Sequence, residues 1–382
     1  MKKKLCLVFI IGLVILSGPA CSKKTNPVAS TVNSTSTQVL VSASNTVTPD
    51  ISCTFTPFNT PQFTKTVLPS ATRTYTYTPT LTITVTFTET VFQTPSITQT
   101  VTIFVTLPYT EIISVQGGTF TQTDANNTAE SFVHTISGFK MGIYPVTYDL
   151  WYSVRQWAIV SGYAFAHPGR EGNRGTNGAL PTASRYQPVT MINWGDAIVW
   201  CNAYSELSGL QPCYTKSGVV LRDSGASNVE FPVCAWSGNG YRLPTEGEWQ
   251  YAAAYIDGVS WTPYDYASGA TADYTNAAAT GLVAWYSANS GNVTHDVGGK
   301  NSNALGIFDM SGNVDEWCWD GYDLYPVSPV TDYRGPTGIS NRILRGGFYS
   351  SSLTDSLRIG TRGDNTGDAS ASNYGMRIVK LY

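Results

Sequence analysis

The sequence predicts a mixed α+β domain over residues 111–382, with few helices, short strands and long irregular loops. Only three segments of this region combine helical spacing of apolar residues with a capping residue at their start. The segments with strand character are a few residues long, and glycines interrupt them. About 270 residues are enough for one large core or for one domain with long loops. We therefore expect a single domain held together by turns and buried side chains.

The first two helices are predicted from their caps and their apolar spacing. Thr147 can cap a helix over residues 148–160, which a Ser-Gly pair then ends. Asn193 can cap a second helix, because the carboxylate of Asp196 follows three residues later. The apolar residues of this second helix lie on one face, and the helix is expected to end near Gly209.

The third helix and the strands are also predicted from local signals. Thr245 and Glu248 form a capping box, in which each side chain accepts a hydrogen bond from the other residue's main-chain amide. Short strands, punctuated by glycine, are expected at Gly117–Phe120, Ile343–Arg345 and Met376–Val379. Together these elements leave most of the domain irregular.

Residues 1–21 are predicted to be an export signal rather than part of the fold. Lysines at positions 2–4 precede a short apolar run, Leu5–Leu16, which is followed by small residues. About a dozen apolar residues are too few to cross a hydrocarbon core that needs roughly twenty. Cys21 follows a small-residue box loosely similar to that of bacterial lipoproteins, so we expect a lipid anchor at Cys21. The alternative is an ordinary cleaved signal that leaves a free cysteine.

Residues 22–110 are predicted to form a disordered stalk that holds the domain away from a surface. Threonine, serine, proline and valine dominate this segment, and charged residues are nearly absent. Threonine alternates with other residues at Thr72–Thr80 and Thr98–Thr102, and such alternation is also compatible with strands. Because prolines recur and little aliphatic bulk is available to bury, we favour a solvated, extended spacer.

Charge and cysteine content limit the partners and the disulfides that can be expected. The net charge is -3 and no basic run follows the signal, so nucleic acid is not an expected partner. The domain has four cysteines, and export would permit disulfides. Cys213 and Cys234 flank a short hairpin-like segment and are the expected pair, with Cys201 and Cys318 left over. Four cysteines allow three pairings, and the sequence alone does not choose among them.

Six short blocks follow one another through the domain: Phe139–Thr147, Pro188–Trp194, Tyr241–Thr245, Gly306–Asn313, Arg345–Gly347 and Gly375–Arg377. Any one block would be weak, but six in this order are specific. The sequence resembles the sulfatase-modifying-factor family, whose founding activity is that of the formylglycine-generating enzyme. The resemblance extends over residues 115–379. It implies a compact variant of the C-type-lectin fold with little regular secondary structure.

The resemblance also implies a structural calcium ion. In family members the segment after Gly306 holds Ca²⁺, and the matching positions here are Asp309, Gly312, Val314 and Glu316. Carboxylate and main-chain carbonyl oxygens suit a hard cation that takes about six to eight oxygen ligands. The alternative is that the two carboxylates accept backbone hydrogen bonds in a buried turn.

The family's catalytic positions are altered in this sequence. Formylglycine-generating oxidases of the founding type carry two cysteines, five positions apart, after the Gly-Gly turn, and these cysteines bind copper(I). Here the register places Ser351 and Ser356 at those positions, and Phe348 stands where a serine is usual. Copper(I) needs soft thiolate ligands, which hydroxyl groups do not replace. We therefore expect no copper and no catalytic residue at this turn.

Other catalytic arrangements find no support in the sequence. The three histidines, His134, His167 and His295, have no metal-ligand spacing, which argues against iron-dependent relatives. No serine lies in a Gly-x-Ser-x-Gly elbow, and no glycine-rich phosphate loop opens a helix. The charged and aromatic motif residues are instead expected to form buried pairs that hold irregular loops. These residues are Arg242, Glu248, Trp249, Arg345 and Arg377.

The last segment has the composition of a recognition surface. Small polar side chains and tyrosine recur there, and such residues make adaptable hydrogen bonds, as in antibody loops. In the family's fold this segment surrounds the pocket, and some lectin-like relatives diversify it; the alternative is a solvated loop rich in turn formers. The expected binding residues are Tyr349, Ser351, Ser352, Asp355, Asn365 and Asn373.

These observations favour an exported, stalk-tethered family member that binds rather than catalyses. Its partner would be a protein or a glycan at the cell envelope or outside the cell, with a lipid at Cys21 as membrane anchor. One alternative is an oxidase that converts a sulfatase cysteine to formylglycine by a cofactor chemistry not visible in the sequence. Another is a structural component of an envelope assembly, which only the stalk supports.

Overall fold

The structure is a computed structural model that describes residues 111–225, 229, 231–352 and 356–381, together with the backbone of three strands before residue 107. The predicted export signal at residues 1–21 and the expected anchor Cys21 lie outside the described residues, as does Asp355. Within the described part of the chain, no helix has both the length and the hydropathy needed to cross a membrane.

Three strands lie inside the segment predicted as a stalk, namely β1 Ser52–Cys53, β2 Thr80–Thr88 and β3 Thr98–Thr106. They form one sheet in the order β1-β2-β3, and β1 pairs antiparallel with β2. Of the two alternating stretches, Thr98–Thr102 lies within β3, whereas Thr72–Thr80 lies outside the described residues except for Thr80, the first residue of β2. Threonine and valine are β-branched and favour the extended, pleated backbone. The remainder of the predicted stalk lies outside the described residues.

From residue 111 onward, the described residues contain four helices and fifteen strands. The helices are α1 Tyr148–Val160, α2 Trp194–Leu207, α3 Glu246–Ala254 and α4 Ala277–Val283. The strands are β4 Ile112–Val115, β5 Gly118–Thr123, β6 Ser131–Ile136, β7 Phe139–Gly142, β8 Arg170–Glu171, β9 Val189–Thr190, β10 Tyr214–Lys216, β11 Val219–Val220, β12 Val233–Cys234, β13 Asp315–Gly321, β14 Val330–Thr331, β15 Asn341–Arg345, β16 Gly363–Thr366, β17 Tyr374–Met376 and β18 Val379–Lys380. The predicted α+β class with few helices and short strands is confirmed.

The three predicted helices begin at their predicted caps. The Thr147 hydroxyl accepts from the main-chain amide of the third helical residue of α1. At α2 the pair Asn193 and Asp196 forms a complete capping box, and Thr245 and Glu248 form another at α3. Helix α4 was not predicted, because its short run of alanines lacks the apolar stripe that marks the other helices.

The strands form several small sheets, of which one positions the family motifs. Its order is β16-β15-β13-β17, with β13 and β15 antiparallel and β13 and β17 parallel. Glu316 on β13 is paired in register with Arg345 on β15. The loop before β13 therefore lies beside the loop after β15, and these two loops carry the Gly306–Asn313 and Arg345–Gly347 blocks.

Buried tryptophans and arginine pairs fill the space between the irregular segments. Arg242 donates two hydrogen bonds of 2.6 Å to the carboxylate of Glu248, and both side chains are buried. Arg345 donates to Gln250 Oε1 at 2.8 Å and to main-chain carbonyls, and Trp249 donates to a carboxylate at 2.8 Å. The prediction that these motif residues are structural is confirmed. A guanidinium is suited to this role because its planar fork satisfies several acceptors at once.

The predicted Cys213–Cys234 disulfide is not formed. All four cysteines of the described domain, Cys201, Cys213, Cys234 and Cys318, are free and buried. In the ladder between β10 and β12, Tyr214 is paired with Cys234, while Ala235 donates its amide to the Cys213 carbonyl. The two cysteines are therefore offset by one residue across the strand pair, and both thiols pack in the same hydrophobic cluster as Cys201.

Two histidines are expected to change the stability of the fold with pH in opposite directions. His134 is fully buried, its Nε2 accepts from the Tyr333 amide at 2.9 Å, and burial lowers its pKa to about 4. The stabilisation that neutral His134 gives the folded state is therefore lost as pH falls from about 6.5, the pKa of histidine in the unfolded chain, towards 4. The hydrogen bond to Asp196, 2.8 Å long, raises the pKa of His167. The stabilisation that protonated His167 gives the folded state is present below about pH 6.5 and is lost as pH rises through the raised pKa.

We expect the advantage of the wild type over His134→Gln in unfolding free energy to shrink by about 3 kcal/mol between pH 7 and pH 4. The advantage over His167→Gln should grow over the same interval. Denaturant unfolding of the three proteins at several pH values measures both differences. Parallel pH profiles for the two variants would contradict the assigned protonation states.

Candidate functional site

The segment after β15 turns sharply because of two glycines. Gly346 and Gly347 have φ values of +98° and +71°, in the left-handed region that side chains disfavour. A Cβ at Gly347 would lie 2.6 Å from the carbonyl oxygen of Ser356. Only glycine lets the chain pass this close to the later segment. The next residues, Phe348–Ser352, form what we call the polar turn.

Ser351 closes the polar turn through its own hydrogen bonds. Its main-chain amide donates to the Phe348 carbonyl at 2.8 Å, and its hydroxyl accepts from the Phe348 amide at 2.9 Å. The residue is 4% exposed, and its carbonyl accepts from the Ser287 amide. Ser351 therefore acts as a turn cap instead of presenting its hydroxyl, whereas the next residue, Ser352, is exposed.

Tyr349 and Asn373, both predicted binding residues, are tied to the loop before β13. The Tyr349 amide donates to the Asn313 carbonyl at 3.0 Å, and its hydroxyl lies 3.1 Å from Ser372 Oγ. Asn373 donates its side-chain amide to Asp315 at 2.8 Å. Burial raises the pKa of Asp315, while the bonds from Asn373 and the Gly347 amide oppose that rise. Asp315 thus joins the Gly-Gly turn, which precedes the polar turn, to the Asn373 loop.

Asn365 lies on β16, away from the polar turn along the sheet. Its side-chain amide donates to the Tyr374 hydroxyl at 2.7 Å, and its Oδ1 accepts from the Thr366 amide. The structure therefore groups Tyr349, Ser351 and Ser352 in one turn, connects Asn373 to the preceding Gly-Gly turn through Asp315, and leaves Asn365 on a neighbouring strand.

A pocket of about 380 Å³ lies next to the polar turn, and we call it the indole pocket. Trp285 stacks on His295 with ring centroids 3.8 Å apart, and the Lys300 ammonium lies 4.0 Å from the indole centroid. The Ser287 amide bonded to Ser351 belongs to the same segment as Trp285. The lining residues are Ala183, Ser184, Gln187, Trp285, His295, Asp296 and Gly299.

Sequence reasoning missed the indole pocket because its residues come from separate irregular loops. His295 is noted in the sequence only as a histidine without metal-ligand spacing, and Trp285 belongs to none of the six blocks. Gly312, which belongs to one of the blocks, is the residue that connects them to the pocket. Its φ is +79°, and a Cβ there would lie 2.2 Å from the Trp285 carbonyl oxygen. That close approach fixes Trp285 against the Gly306–Asn313 block, but it is visible only once the chain is folded.

The four predicted calcium ligands lie around one turn, but oxygens of three of them, Asp309, Gly312 and Glu316, already accept hydrogen bonds. Both Glu316 oxygens accept from Arg377, at 2.7 and 3.0 Å, and one also accepts from Trp249. Asp309 accepts from the Gly298 amide at 2.7 Å, and the Gly312 carbonyl accepts from the Val314 amide at 2.9 Å. A cation at Glu316 would have to displace a guanidinium. The arrangement favours the alternative of buried hydrogen-bond acceptors, and calcium stays a prediction.

If the two carboxylates only accept hydrogen bonds, as the contacts favour, excess chelator is expected to leave the melting temperature unchanged, because Arg377 already neutralises the Glu316 carboxylate. Within the described residues, no group of three or more histidine, cysteine, aspartate or glutamate side chains is arranged to hold a metal ion. The melting temperature is measured by thermal unfolding in excess chelator, with and without added Ca²⁺. A drop on chelation that Ca²⁺ reverses would instead establish the predicted calcium site.

Comparison with known proteins agrees with this architecture. A family model described as the sulfatase-modifying factor enzyme 1-like domain matches residues 100–381. The chaperone protein LppX of Paenibacillus barcinonensis is 30% identical over 291 residues, which cover 71% of this chain and 89% of that protein. The formylglycine-generating enzyme of Streptomyces coelicolor is 33% identical over 161 residues, covering 38% of this chain and 47% of that enzyme.

Two solved structures have a similar fold. Variable protein 1 of Treponema denticola superimposes with a TM-score of 0.58 at 27% identity, over 77% of this chain and 98% of that one. A protein named CarF superimposes with a TM-score of 0.56 at 26% identity, over 72% of this chain and 99% of that one. The fold is C-type-lectin-like, as the resemblance implies. The chain belongs to the sulfatase-modifying factor enzyme 1-like family.

Proposed function

We propose that this chain is an exported binding protein and not a formylglycine-generating oxidase. Its ligand surface would consist of the polar turn and the adjoining indole pocket. One observation carries the proposal, namely that serines stand at both positions where the founding oxidases hold copper(I) with thiolates. A site without thiolates does not bind copper(I), and the family's oxidation chemistry depends on that metal.

The surroundings of Ser351 support the absence of oxidase chemistry. Its hydroxyl accepts from the Phe348 amide, and the residue as a whole is buried. None of the residues that line the indole pocket is a cysteine. The four cysteines of the described domain pack in the hydrophobic core instead.

The composition of the proposed surface supports binding. Ser352 is exposed, Phe348 is half-buried, and the indole pocket adds an amide, an imidazole and a carboxylate at its wall. Polar side chains of this kind adapt to a ligand, while a few rigid aromatic groups provide contact area. Two similar proteins are named a variable protein and a chaperone protein, names that fit recognition of another molecule.

Export and tethering are part of the proposal. The basic residues and apolar run at the N-terminus are those of an export signal, and Cys21 is the proposed lipid attachment site. The threonine-rich segment would then separate the binding domain from the membrane. A protein or a glycan of the cell envelope is the proposed class of partner, because such a tether restricts the domain to that compartment.

Peptide oxidation tests the proposal. The chain is incubated with a peptide containing Cys-x-Pro-x-Arg, oxygen and copper, and aldehyde formation is followed by mass spectrometry. We expect no aldehyde, whereas the formylglycine-generating enzyme of Streptomyces coelicolor serves as the positive control. Turnover by this chain at a rate typical of enzymes would overturn the proposal and favour the oxidase alternative.

A further inference from the structure

The loop at residues 294–298 forms part of the wall of the indole pocket and is fixed by hydrogen bonds. The His295 amide donates to Asn313 Oδ1 at 3.0 Å, and Asn313 Nδ2 donates back to the His295 carbonyl at 3.1 Å. Two residues further along, the Val297 amide donates to a main-chain carbonyl at 3.0 Å. Asp296 lies between these anchors, and its exposed carboxylate has no partner among the described residues. A polar group on a fixed loop can bind a ligand at little cost in conformational entropy.

His295, which lines the pocket, keeps one ring nitrogen available to a ligand. Its Nε2 lies 2.9 Å from the Ser290 carbonyl oxygen, so Nε2 carries the proton and donates to that oxygen. In the neutral ring Nδ1 is then an acceptor. In the part of the chain that the structure describes, Nδ1 is neither buried nor hydrogen-bonded. His295 therefore contributes an accessible acceptor on a ring whose orientation is fixed.

Gln187, another lining residue, contributes a donor. Its Oε1 accepts from the Thr294 hydroxyl at 2.7 Å, and its main-chain carbonyl accepts from the Tyr148 amide at 2.9 Å. The two hydrogens of Nε2 have no acceptor within the described residues, and Nε2 is not buried. The hydroxyl of Ser184, also at the pocket wall, is likewise accessible and unpaired there. The pocket thus combines accessible donors with accessible acceptors.

The indole of Trp285 supports the pocket without offering a ring face to a ligand. The centroid of the His295 ring lies 3.8 Å from that of the indole, and the Lys300 ammonium lies 4.0 Å from the same indole centroid. Two groups this close cannot share one face, so the indole is enclosed between them. Its Nε1 is buried as well. A ligand is therefore expected to contact the edge of the indole and to be bound mainly by the polar side chains.

We propose that the indole pocket binds the hydroxyl groups of an uncharged sugar, with Gln187 Nε2 donating to them and His295 Nδ1 and the Asp296 carboxylate accepting from them. This inference rests on the proposed binding function and specifies the chemical class of the ligand. A sugar hydroxyl donates and accepts through one oxygen, so neighbouring hydroxyls can pair with both kinds of group. The pocket volume of about 380 Å³ lies near the lower end of the range for ligand pockets and suits a terminal sugar ring.

An uncharged sugar fits the pocket better than a charged ligand or a peptide does. The carboxylate of Asp296 and the ammonium of Lys300 lie on or beside the wall with opposite charges, so neither an anion nor a cation is favoured overall. None of the lining residues belongs to a β-strand, so a peptide could not bind there by adding a strand. The enclosed indole also leaves no aromatic face against which a partner's anchoring side chain could pack.

The test is a titration of the full chain with the methyl glycosides of glucose, galactose, mannose and N-acetylglucosamine, followed by calorimetry. We expect at least one glycoside to bind with a dissociation constant in the millimolar range or below. Asp296→Asn should weaken its binding about 10-fold, since a charge-assisted hydrogen bond is lost. Gln187→Glu should weaken it by a similar factor, because the new carboxylate can still accept from the Thr294 hydroxyl but has no hydrogens to donate to the sugar.

Asp323→Asn is the matched control, because Asp323 is exposed and is not among the residues that line the pocket. It removes the same charge and should leave sugar binding within about 2-fold of the wild type. Binding of none of the glycosides, or equal effects of the two aspartate substitutions, would overturn the sugar site. Binding of a capped triglycine peptide, lost in Asp296→Asn, in place of any glycoside would assign the pocket to a protein partner instead. Those outcomes leave the proposed function standing, whereas aldehyde formation in the peptide assay overturns the proposed function itself.

Discussion

Replacing Arg377 with methionine is expected to lower the free energy of unfolding by about 3–5 kcal/mol, the largest loss of any single substitution considered. Arg377 is fully buried and donates to Glu316, to the Gly142 carbonyl at 2.9 Å and to the Phe308 carbonyl at 2.8 Å. Methionine fills a similar volume but leaves the Glu316 carboxylate buried without its counter-charge. Denaturant unfolding of wild type and variant gives the difference.

Two further variants separate the charge effect from a general loss of packing. Arg334→Met removes an exposed arginine that lies over Trp236, and it should cost less than about 1 kcal/mol. Combining Arg377→Met with Glu316→Gln removes the unpaired charge and should recover part of the loss, since the glutamine can still accept from Trp249. An Arg377 variant no less stable than the Arg334 variant would disprove the structural role of the buried pair.

Replacing Gly312 with alanine is expected to cost about 3 kcal/mol or more and to disturb the indole pocket. A side chain at φ +79° costs about 1–2 kcal/mol, and the new Cβ would lie 2.2 Å from the main-chain oxygen of Trp285. That contact is with backbone, so no side chain can move to relieve it, and overpacking adds about 1–3 kcal/mol. Denaturant unfolding and tryptophan fluorescence measure the two effects.

Gly306 provides the control for this clash within the same block. Its φ is also +79°, but a Cβ there would meet no atom within 4 Å. Gly306→Ala should therefore cost only the backbone term of about 1–2 kcal/mol and leave tryptophan fluorescence unchanged. If the two alanine variants were equally stable, the packing of Gly312 against Trp285 could not be what positions the pocket.

The parts of the fold that depend on local chemistry could be predicted from the sequence. Thr147, Asn193 and Thr245 each hydrogen-bond within three residues, so a short stretch of sequence contains the whole interaction. The pairing of β13 with β15 and β17 depends on chain segments tens of residues apart. For the threonine-rich segment before residue 107 the sequence favours an extended spacer over strands, because alternation and low aliphatic content point in opposite directions, and three strands are described within that segment.

The candidate site was predictable only where a family motif marks it. The Gly346–Gly347 turn and the serines that follow were located by motif register, and the structure explains why Ser351 is tolerated there, as a turn cap. Trp285 belongs to no motif, because its place in the pocket arises from loops that meet only in the folded chain. The Cys213–Cys234 pairing was likewise inferred from proximity along the sequence, and the folded chain leaves both thiols free and buried.

The most direct test of the central claim is the mass of a Cys-x-Pro-x-Arg peptide after incubation with this chain, oxygen and copper. The claim is that serines at positions 351 and 356 leave the family's oxidation site without its metal ligands. We expect the peptide to keep its cysteine with this chain, while the positive-control enzyme converts it. Catalytic conversion of that cysteine to the aldehyde by this chain would contradict the account.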